Sequence, residues 1–281
     1  MFWLPIIYKE TNNMKTLYVS DLDGTLLRSD ESLSEYTIQT VNRLVEEGHY
    51  FSYATARSYY TSSKVTAGLY GKIPVIVYNG TMIIDNSNGK MMLNYGFQEE
   101  DKELLKDMIA HDVYPIVYTF VEERERFIYL PAKCTRGMKK FLNTRKDERE
   151  MMTEDVDDLF LGDIFHYSCI DEKEKLEPLY EKYKEQYSCV FYLDMYTKEY
   201  WLEIMPKGIS KANAIEELKR FLGCERVVAF GDGKNDIEMF RHADEAYATA
   251  NAEEELKEVA TGVIGGNDED GVAKWLNQFV D

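Results

Sequence analysis

Cysteine is scarce in this sequence, and its few cysteines lie far apart. Cys134, Cys169, Cys189 and Cys224 are the four among 281 residues, and no two of them form a Cys-x-x-Cys pair. Structural zinc sites and disulfide frameworks both need closely patterned cysteines, so the sequence predicts neither. Unpaired thiols are typical of a reducing compartment, and we therefore expect a cytoplasmic protein.

Histidine is equally scarce. His49, His111, His166 and His242 are the four histidines, and they stand at no spacing that is typical of a metal site or a catalytic triad. We therefore expect all four to have structural or surface roles.

Positive charge is also in short supply. The sequence has 33 Lys and Arg residues against 51 Asp and Glu residues, a net charge of -18. A nucleic-acid-binding protein needs a basic surface that displaces counterions from phosphates, and no basic stripe is present, so we expect no nucleic-acid partner. No apolar run approaches the roughly 20 residues that span a bilayer, and we expect no membrane association. The sequence leaves the oligomeric state open and is compatible with a monomer.

The first residues do not have the pattern of a signal peptide. Residues 1–7 are apolar, but they lack a basic region before them and a small-residue cleavage site after them. Met14 stands just before the first predicted strand. We therefore expect residues 1–13 to be an N-terminal extension that adds little to the fold, as an upstream start codon would produce.

The sequence alternates predicted strands and helices in two separate regions. Apolar segments that suit strands and amphipathic segments that suit helices follow one another in residues 14–83 and again in residues 201–281. Such alternation predicts an α/β fold with a doubly wound, mostly parallel sheet, built in this chain from two separate stretches. Residues 84–200 instead have strands separated by polar helices, which predicts an inserted α+β cap domain. The predicted strands of this insert are 116–120, 127–130, 165–169 and 190–193.

Two aspartates follow the first predicted strand directly. The segment Leu17 to Ser20 is apolar, and Asp21 and Asp23 come next, with Gly24 allowing a tight turn. One aspartate can accept a phosphoryl group covalently, and a second carboxylate two residues later can act as general acid and then as general base. This pattern favours phosphoryl transfer.

Three further motifs also fall at predicted strand ends or helix starts, where ligands bind in open α/β sheets. Thr55-Ala56-Arg57 follows the second strand, where a hydroxyl group and free N–H groups can hold phosphate oxygens. Lys207 and Lys211 are two candidates for a lysine that offsets phosphate charge, and Ser210 is a predicted helix start that would give Lys211 a rigid base. The loop from Gly231 to Asp236 supplies oxygen ligands of the kind that Mg²⁺ prefers.

Together these motifs resemble those of the haloacid dehalogenase superfamily of phosphatases, in particular the Cof-type subgroup with a class II, type B cap. The resemblance implies that Asp21 is the nucleophile and Asp23 the acid and base, with Thr55 and Lys211 completing the catalytic set. It also implies Mg²⁺ bound by Asp21, Asp232 and the main-chain carbonyl of Asp23. The implied supporting residues fall into two groups. Asp236 and Asn235 would support the metal site, and the phosphate or substrate would contact Leu22, Thr55, Ala56, Arg57, Asn79, Gly80, Lys211 and Asn235.

One position in this set departs from the pattern of the subgroup, and one pair of residues has a second interpretation. The subgroup commonly has glycine where this chain has Ala56. Asn79-Gly80 is also among the strongest turn-forming pairs, so a plain turn and a role beside the substrate are both open.

The resemblance implies a magnesium-dependent hydrolase of sugar phosphates or similar small phosphate esters, with specificity set by the inserted cap. Two alternatives stay open. A sugar phosphomutase of the phosphomannomutase kind would use the same pair of aspartates but would return an isomer without releasing phosphate. A non-catalytic phosphosugar sensor would bind through the same site, although a pure binder would not need the acid and base Asp23.

Overall fold

The structure is a computed structural model that describes residues 14–71, 73–194 and 198–280. The predicted extension, residues 1–13, lies outside the described residues. Among the residues described, none of the helices has the length and apolar character needed to cross a membrane.

Strands and helices alternate along the described part of the chain. The strands are β1 (Thr16–Ser20), β2 (Tyr50–Tyr53), β3 (Pro74–Val77), β4 (Met82–Asp85), β5 (Lys90–Asn94), β6 (Ile116–Val121), β7 (Arg124–Tyr129), β8 (Glu150–Met152), β9 (Asp163–Asp171), β10 (Ser188–Leu193), β11 (Tyr200–Met205), β12 (Arg226–Gly231), β13 (Glu245–Thr249) and β14 (Gly262–Ile264). The helices are α1 (Glu35–Glu46), α2 (Tyr59–Val65), α3 (Lys102–Ala110), α4 (Arg136–Asn143), α5 (Lys173–Tyr183), α6 (Lys211–Leu222), α7 (Ile237–His242), α8 (Glu254–Lys257) and α9 (Gly271–Leu276).

A parallel sheet of order β14-β13-β12-β1-β2 forms the core. Successive side chains of a strand point to opposite faces, so Leu17 and Val19 of β1 pack on one face while Tyr18 packs on the other. Helices α1 and α9 cover the Tyr18 face, and α6, α7 and α8 cover the opposite one. Both faces are therefore buried, as the continuous apolar strands predict.

A second sheet, of order β10-β11-β9-β6-β7-β8, is antiparallel except for its β7–β8 pair. Helices α3 and α5 pack on one face of this sheet, and α4 packs on the other. Most of the sheet comes from the predicted insert. The predicted fold class, a doubly wound parallel core with an inserted α+β cap, is confirmed.

Two strand pairings bear on the limits that the sequence predicts for the insert. Strand β3 bonds to the core beyond β2, through the Ala54–Ile76 bridge, and pairs antiparallel with β4. The boundary drawn between residues 83 and 84 therefore falls inside β4. Residues 201–205, assigned to the core, lie in the second sheet, because β11 pairs with β9 and β10. An apolar strand pattern does not tell which sheet the strand joins, and the domain limits stay a prediction.

Candidate active site

Asp21 lies at the carboxyl end of β1, which pairs with β12 and β2 in the core sheet. Its N–H donates to the carbonyl oxygen of Phe230 in β12 at 2.9 Å, so the sheet ladder itself fixes the residue. The residue is only 5% exposed. The chain then turns sharply through Gly24, whose φ is 74°, and a Cβ atom there would come within 2.2 Å of Asp232 Oδ2. Glycine therefore lets the turn approach the Asp232 loop.

Lys211 is the lysine that reaches Asp21. It is the first residue of α6, whose N-cap Ser210 accepts a hydrogen bond from Asn213 N–H. The buried ammonium donates to Asp21 Oδ1 at 2.6 Å and to Asp236 Oδ1 at 2.8 Å. Burial alone would lower the pKa of Lys211, but the two carboxylates raise the pKa above its ordinary value, so the lysine stays charged. Lys207 is exposed.

Three carboxylates gather beside this lysine. One oxygen each from Asp21, Asp232 and Asp236 lies within 4.8 Å of the other two. Asp236 is fully buried, and protein donors occupy both of its oxygens: Lys211 on Oδ1, and the N–H groups of Asp232 and Gly233 on Oδ2. Asp21 and Asp232 keep more free lone pairs, which suits them as metal ligands.

The electrostatics of this cluster favour a bound cation. Burial raises the pKa of Asp21 well above its usual range; Lys211 opposes the rise, and Asp236 and Asp232 add to it. Burial and the charge of Asp236 likewise raise the pKa of Asp232 to about 6. Three carboxylates share one ammonium, so negative charge is in excess. Closely spaced carboxylate oxygens are the donor set that Mg²⁺ takes, and the residues present fit this ion.

Asp23 lies nearby in a more open position, paired with Arg57. Its side chain is 50% exposed, whereas that of Arg57 is 10% exposed. The guanidinium donates from Nε to Asp23 Oδ2 at 2.8 Å and from Nη2 to Asp23 Oδ1 at 2.5 Å, and it also pairs with Glu31 at 2.8 Å. Arg57, predicted to bind phosphate or substrate, therefore contacts the predicted acid and base in this structure.

Thr55 lies one residue beyond the ladder that joins β1 and β2. Ala54 N–H donates to Ser20 O, and Thr55 N–H donates to Ile76 O at 3.0 Å. The Thr55 hydroxyl oxygen accepts from Arg57 N–H at 3.1 Å, and no acceptor among the described residues takes its own O–H, which can therefore donate to a ligand. Thr55 is fully buried, and the following Ala56 is exposed.

The Asn79-Gly80 turn lies against the start of α6. Asn79 has a φ of 54° and Gly80 a φ of 102°. A Cβ atom on Gly80 would lie 2.2 Å from Ser210 O, directly before Lys211. The Asn79 amide donates to Glu203 Oε2 at 3.0 Å. The turn therefore connects the lysine-bearing helix with β11 of the second sheet.

The two remaining predicted residues differ in exposure. Leu22 is fully buried in the core, so only its main chain is available to a phosphate. Asn235 is exposed in the loop that also carries Asp232 and Asp236.

A cleft of about 490 Å³ lies between the core and the second sheet. Asp23 and Arg57 line it from the core, and His166 and Glu203 line it from the sheet. A structural or surface role was expected for His166, and Glu203 was not among the predicted site residues. Polar residues at positions 166 and 168 of an otherwise apolar strand were the available signal, since residues two apart share a face.

The sequence matches the family model of haloacid dehalogenase-like hydrolases over residues 18–276. The match covers most of the chain, and the protein belongs to this family.

Proteins named as phosphatases are among its relatives. One is the 5-amino-6-(5-phospho-D-ribitylamino)uracil phosphatase YitU of Bacillus subtilis, 28% identical over 94% of this chain and 97% of that protein. Another is YwtE of the same organism, a phosphatase of the same name, 27% identical over 92% and 96%. The crystal structure of a haloacid dehalogenase-like hydrolase from Bacteroides thetaiotaomicron matches with a TM-score of 0.76 and 26% identity over 94% of this chain and 99% of that one. The predicted enzyme class, a phosphatase of the haloacid dehalogenase type, is confirmed.

Proposed function

We propose that the protein is a magnesium-dependent phosphomonoester hydrolase that acts on sugar phosphates or similar small phosphometabolites. One observation carries the proposal. The buried Asp21 carboxylate is held by the Lys211 ammonium at the end of β1, and Asp23 follows two residues later in the wall of the cleft. A nucleophile needs a free oxygen, and Lys211 occupies only Oδ1 of Asp21.

In the proposed reaction, Asp21 attacks the phosphorus atom in line with the leaving oxygen. The bond between phosphorus and the leaving oxygen breaks as the aspartyl-phosphate forms, and Asp23 gives its proton to that oxygen. Asp23 then takes a proton from water, whose oxygen attacks phosphorus and releases phosphate and Asp21. Lys211 and the free Thr55 hydroxyl hold phosphoryl oxygens as charge develops on them.

The residues that would hold Mg²⁺ are Asp21, Asp232 and the main-chain carbonyl of Asp23, with Asp236 and Asn235 in support. When bound, the ion supplies positive charge that offsets repulsion between a carboxylate and a phosphate dianion. Lys211, fixed between Asp21 and Asp236, keeps the Asp21 carboxylate oriented whether or not the ion is present.

The first test is phosphate release with and without Mg²⁺. Substrates would be glucose 6-phosphate, ribitol 5-phosphate, acetyl phosphate and 5-amino-6-(5-phospho-D-ribitylamino)uracil, the compound in the relatives' names. We expect magnesium-dependent release, and we expect Asp21→Asn to reduce kcat by about a thousandfold or more, because the nucleophile is lost. The exposed Asp163 supplies the matched control, Asp163→Asn, which should keep normal turnover.

Near-normal activity of Asp21→Asn would refute the assigned nucleophile. Isomerisation of a sugar phosphate without phosphate release would point to a phosphomutase, and tight binding without turnover would point to a sensor. We further propose the cytoplasm as the compartment, supported by the unpaired state of all four cysteines among the described residues.

A further inference from the structure

Two basic residues of the cleft have no carboxylate partner. Lys140 of α4 and Arg145, two residues beyond the end of that helix, line the same cleft as Asp23 and Arg57. Neither Lys140 nor Arg145 forms an ion pair with any of the described residues. The Arg145 guanidinium lies over the ring of Phe141, 5.2 Å from the ring centroid. Both positive charges are therefore open to a ligand in the cleft.

The carboxylates of the cleft do not neutralise these two cations. They are Asp23, Glu31, Asp194 and Glu203. Arg57 pairs with Asp23 and with Glu31, and the Asn79 amide donates to Glu203. In the part of the chain that the structure describes, no ion pair joins any of the four carboxylates to either cation. The other buried cation of the cleft, Arg149, differs from them because it has Glu125 and Asp147 as partners.

The lack of partners is a local property of α4. The whole sequence has 51 acidic and 33 basic residues, but residues 136–146, which include α4, contain five basic residues and no acidic one. Other helices pair their lysines internally: Lys106 of α3, Lys173 of α5 and Lys257 of α8 each pair with a glutamate of the same helix. Such pairs are the usual arrangement for exposed helix lysines. Helix α4 has no acidic residue that could form one.

Helix α4 is held firmly against the second sheet. The N-cap residue Thr135 donates from its hydroxyl to Ile170 O at 2.6 Å. A Cβ atom on Gly137 would lie 2.6 Å from the Ile170 side chain, so glycine permits this close approach. The Phe141 ring packs edge-on against Trp201 at a centroid distance of 4.9 Å. The two cations therefore extend from a fixed base beside the cleft.

We propose that Lys140 and Arg145 bind a second anionic group of the substrate. The preferred substrates are then phosphate esters that also carry a carboxylate or a second phosphate. This inference rests on the proposed phosphatase function. Asp23 lines the same cleft, whose volume of about 490 Å³ accommodates one small molecule, so one ester can extend from the aspartates to α4. Lysine and arginine bind carboxylate and phosphate groups through charge-assisted hydrogen bonds.

Long-range attraction is the competing explanation for these charges. The net charge of -18 repels anions, and a local positive charge would speed the approach of any phosphate ester without binding a second group. That effect depends on the net charge of the region and acts alike on all phosphate esters. A binding site instead depends on which side chains line the cleft and on which substrates have the second anion.

Two pairs of substrates measure the preference. 6-Phosphogluconate has a carboxylate that glucose 6-phosphate lacks, and fructose 1,6-bisphosphate has a second phosphate that fructose 6-phosphate lacks. We measure kcat/KM for all four at one ionic strength and one free Mg²⁺ concentration. Within at least one pair, the wild type should favour the ester with the second anion by about tenfold. The pair that shows the larger ratio identifies the second group as carboxylate or phosphate.

The variants separate a binding site from the effect of net charge. Lys140→Met/Arg145→Met should lower the larger ratio about tenfold, mainly through KM. The control Lys139→Met/Lys146→Met removes two positive charges from exposed positions of the same segment that do not line the cleft, and the ratio should stay within about twofold. Lys140→Arg/Arg145→Lys keeps both charges and should keep most of the preference. Lys140→Met alone, at an exposed position, should lower the ratio about threefold, which excludes lost packing of Arg145 as the cause.

Three results would contradict the inference. If both double Met variants lowered kcat/KM alike for all four esters, the charges would act at long range. An unchanged ratio in Lys140→Met/Arg145→Met would show that these cations bind no second anion. A wild type that prefers neither ester with the second anion, or that hydrolyses only esters with a single anionic group, would also overturn the inference, while the phosphatase function would stand. If the wild type hydrolysed neither these esters nor those of the first test, the proposed function would fail and the inference with it.

Discussion

Asp21 and Glu203 are both buried carboxyl groups, but their partners differ. Asp21 contacts the Lys211 ammonium, whereas Glu203 receives a hydrogen bond only from the neutral Asn79 amide among the described contacts. A buried carboxyl group without a close cation is more stable when it is protonated. Proton uptake by this group on folding should therefore make stability depend on pH, and Glu203 is the residue where this effect can be isolated.

Glu203→Gln should become more stable relative to the wild type as pH rises from 5 to 8. The pKa of Glu203 is about 7 in the folded protein, above the ordinary value of 4.5, so the folded state binds the extra proton between these values. The stability that this proton confers is complete below the unfolded pKa and is lost as pH rises through about 7. Glutamine can accept the same Asn79 hydrogen bond but does not titrate.

The measurement is urea unfolding of both proteins at pH 5 and pH 8. The difference in free energy of unfolding, Glu203→Gln minus wild type, should grow by roughly 2 kcal/mol over this range. His166, whose pKa is about 3, stays neutral in the folded state throughout, and its unfolded-state titration is common to both proteins and cancels. A difference that is constant with pH would show that Glu203 is ionised in the folded protein at both values.

At the level of secondary-structure elements, the site depends on how closely the Asn79-Gly80 turn packs on α6. Gly80 has a φ of 102°, and its Cα faces the carbonyl oxygen of Ser210, the residue before Lys211. Any side chain at position 80 would displace either the turn or the first residue of the helix. The position of the Lys211 ammonium is therefore coupled to the turn after β3.

Gly80→Ala should reduce both stability and turnover. The added Cβ would lie 2.2 Å from Ser210 O, so α6 would shift and carry Lys211 away from Asp21. We expect a loss of about 2 kcal/mol or more in free energy of unfolding and a loss in kcat of about tenfold or more.

Gly48→Ala is the matched control: Gly48 has a φ of 92° but no atom within 4 Å of an added Cβ. It should lose only about 1 kcal/mol and keep its kcat. Equal effects of the two substitutions would contradict the role of the close contact.

The sequence predicted those parts of the candidate site that follow from which residues come directly after each strand. Asp21, Thr55 and Asp232 each follow an apolar strand, and parallel strands bring their carboxyl ends to one edge, so their proximity could be inferred. Lys211 could be proposed from its helix start and from family resemblance. His166 and Glu203 could not be assigned, because their position depends on the pairing of β9 with β11 across many intervening residues. Strand periodicity alone does not specify such long-range pairing or the face that meets the cleft.

At the scale of the whole molecule, a buried arginine links the second sheet to the core beside the cleft. Arg149 precedes β8 in the second sheet and is 6% exposed. Its guanidinium donates to the Tyr78 hydroxyl at 3.2 Å, pairs with Glu125, and binds both oxygens of Asp147. It also lies over the ring of Tyr60 in α2, 4.6 Å from the ring centroid. Tyr78 and Tyr60 come from the core side, so Arg149 fixes the second sheet against the core.

Arg149→Met should loosen the contact between the second sheet and the core. Loss of the guanidinium leaves Glu125 and Asp147 without their shared cation, and breaking a buried ion pair in this way costs about 3 kcal/mol or more in free energy of unfolding. We expect that loss in urea unfolding. We also expect a higher KM for ribitol 5-phosphate, because the two walls of the cleft are no longer held at a fixed distance from each other.

The exposed Arg124 on β7 gives the control, Arg124→Met, which should change neither the free energy of unfolding nor the KM appreciably. In the double variant Arg149→Met with Glu125→Leu, part of the lost stability should return, because one unpaired carboxylate is gone. Loss of stability with an unchanged KM would show that Arg149 supports the second sheet alone and does not set the geometry of the cleft.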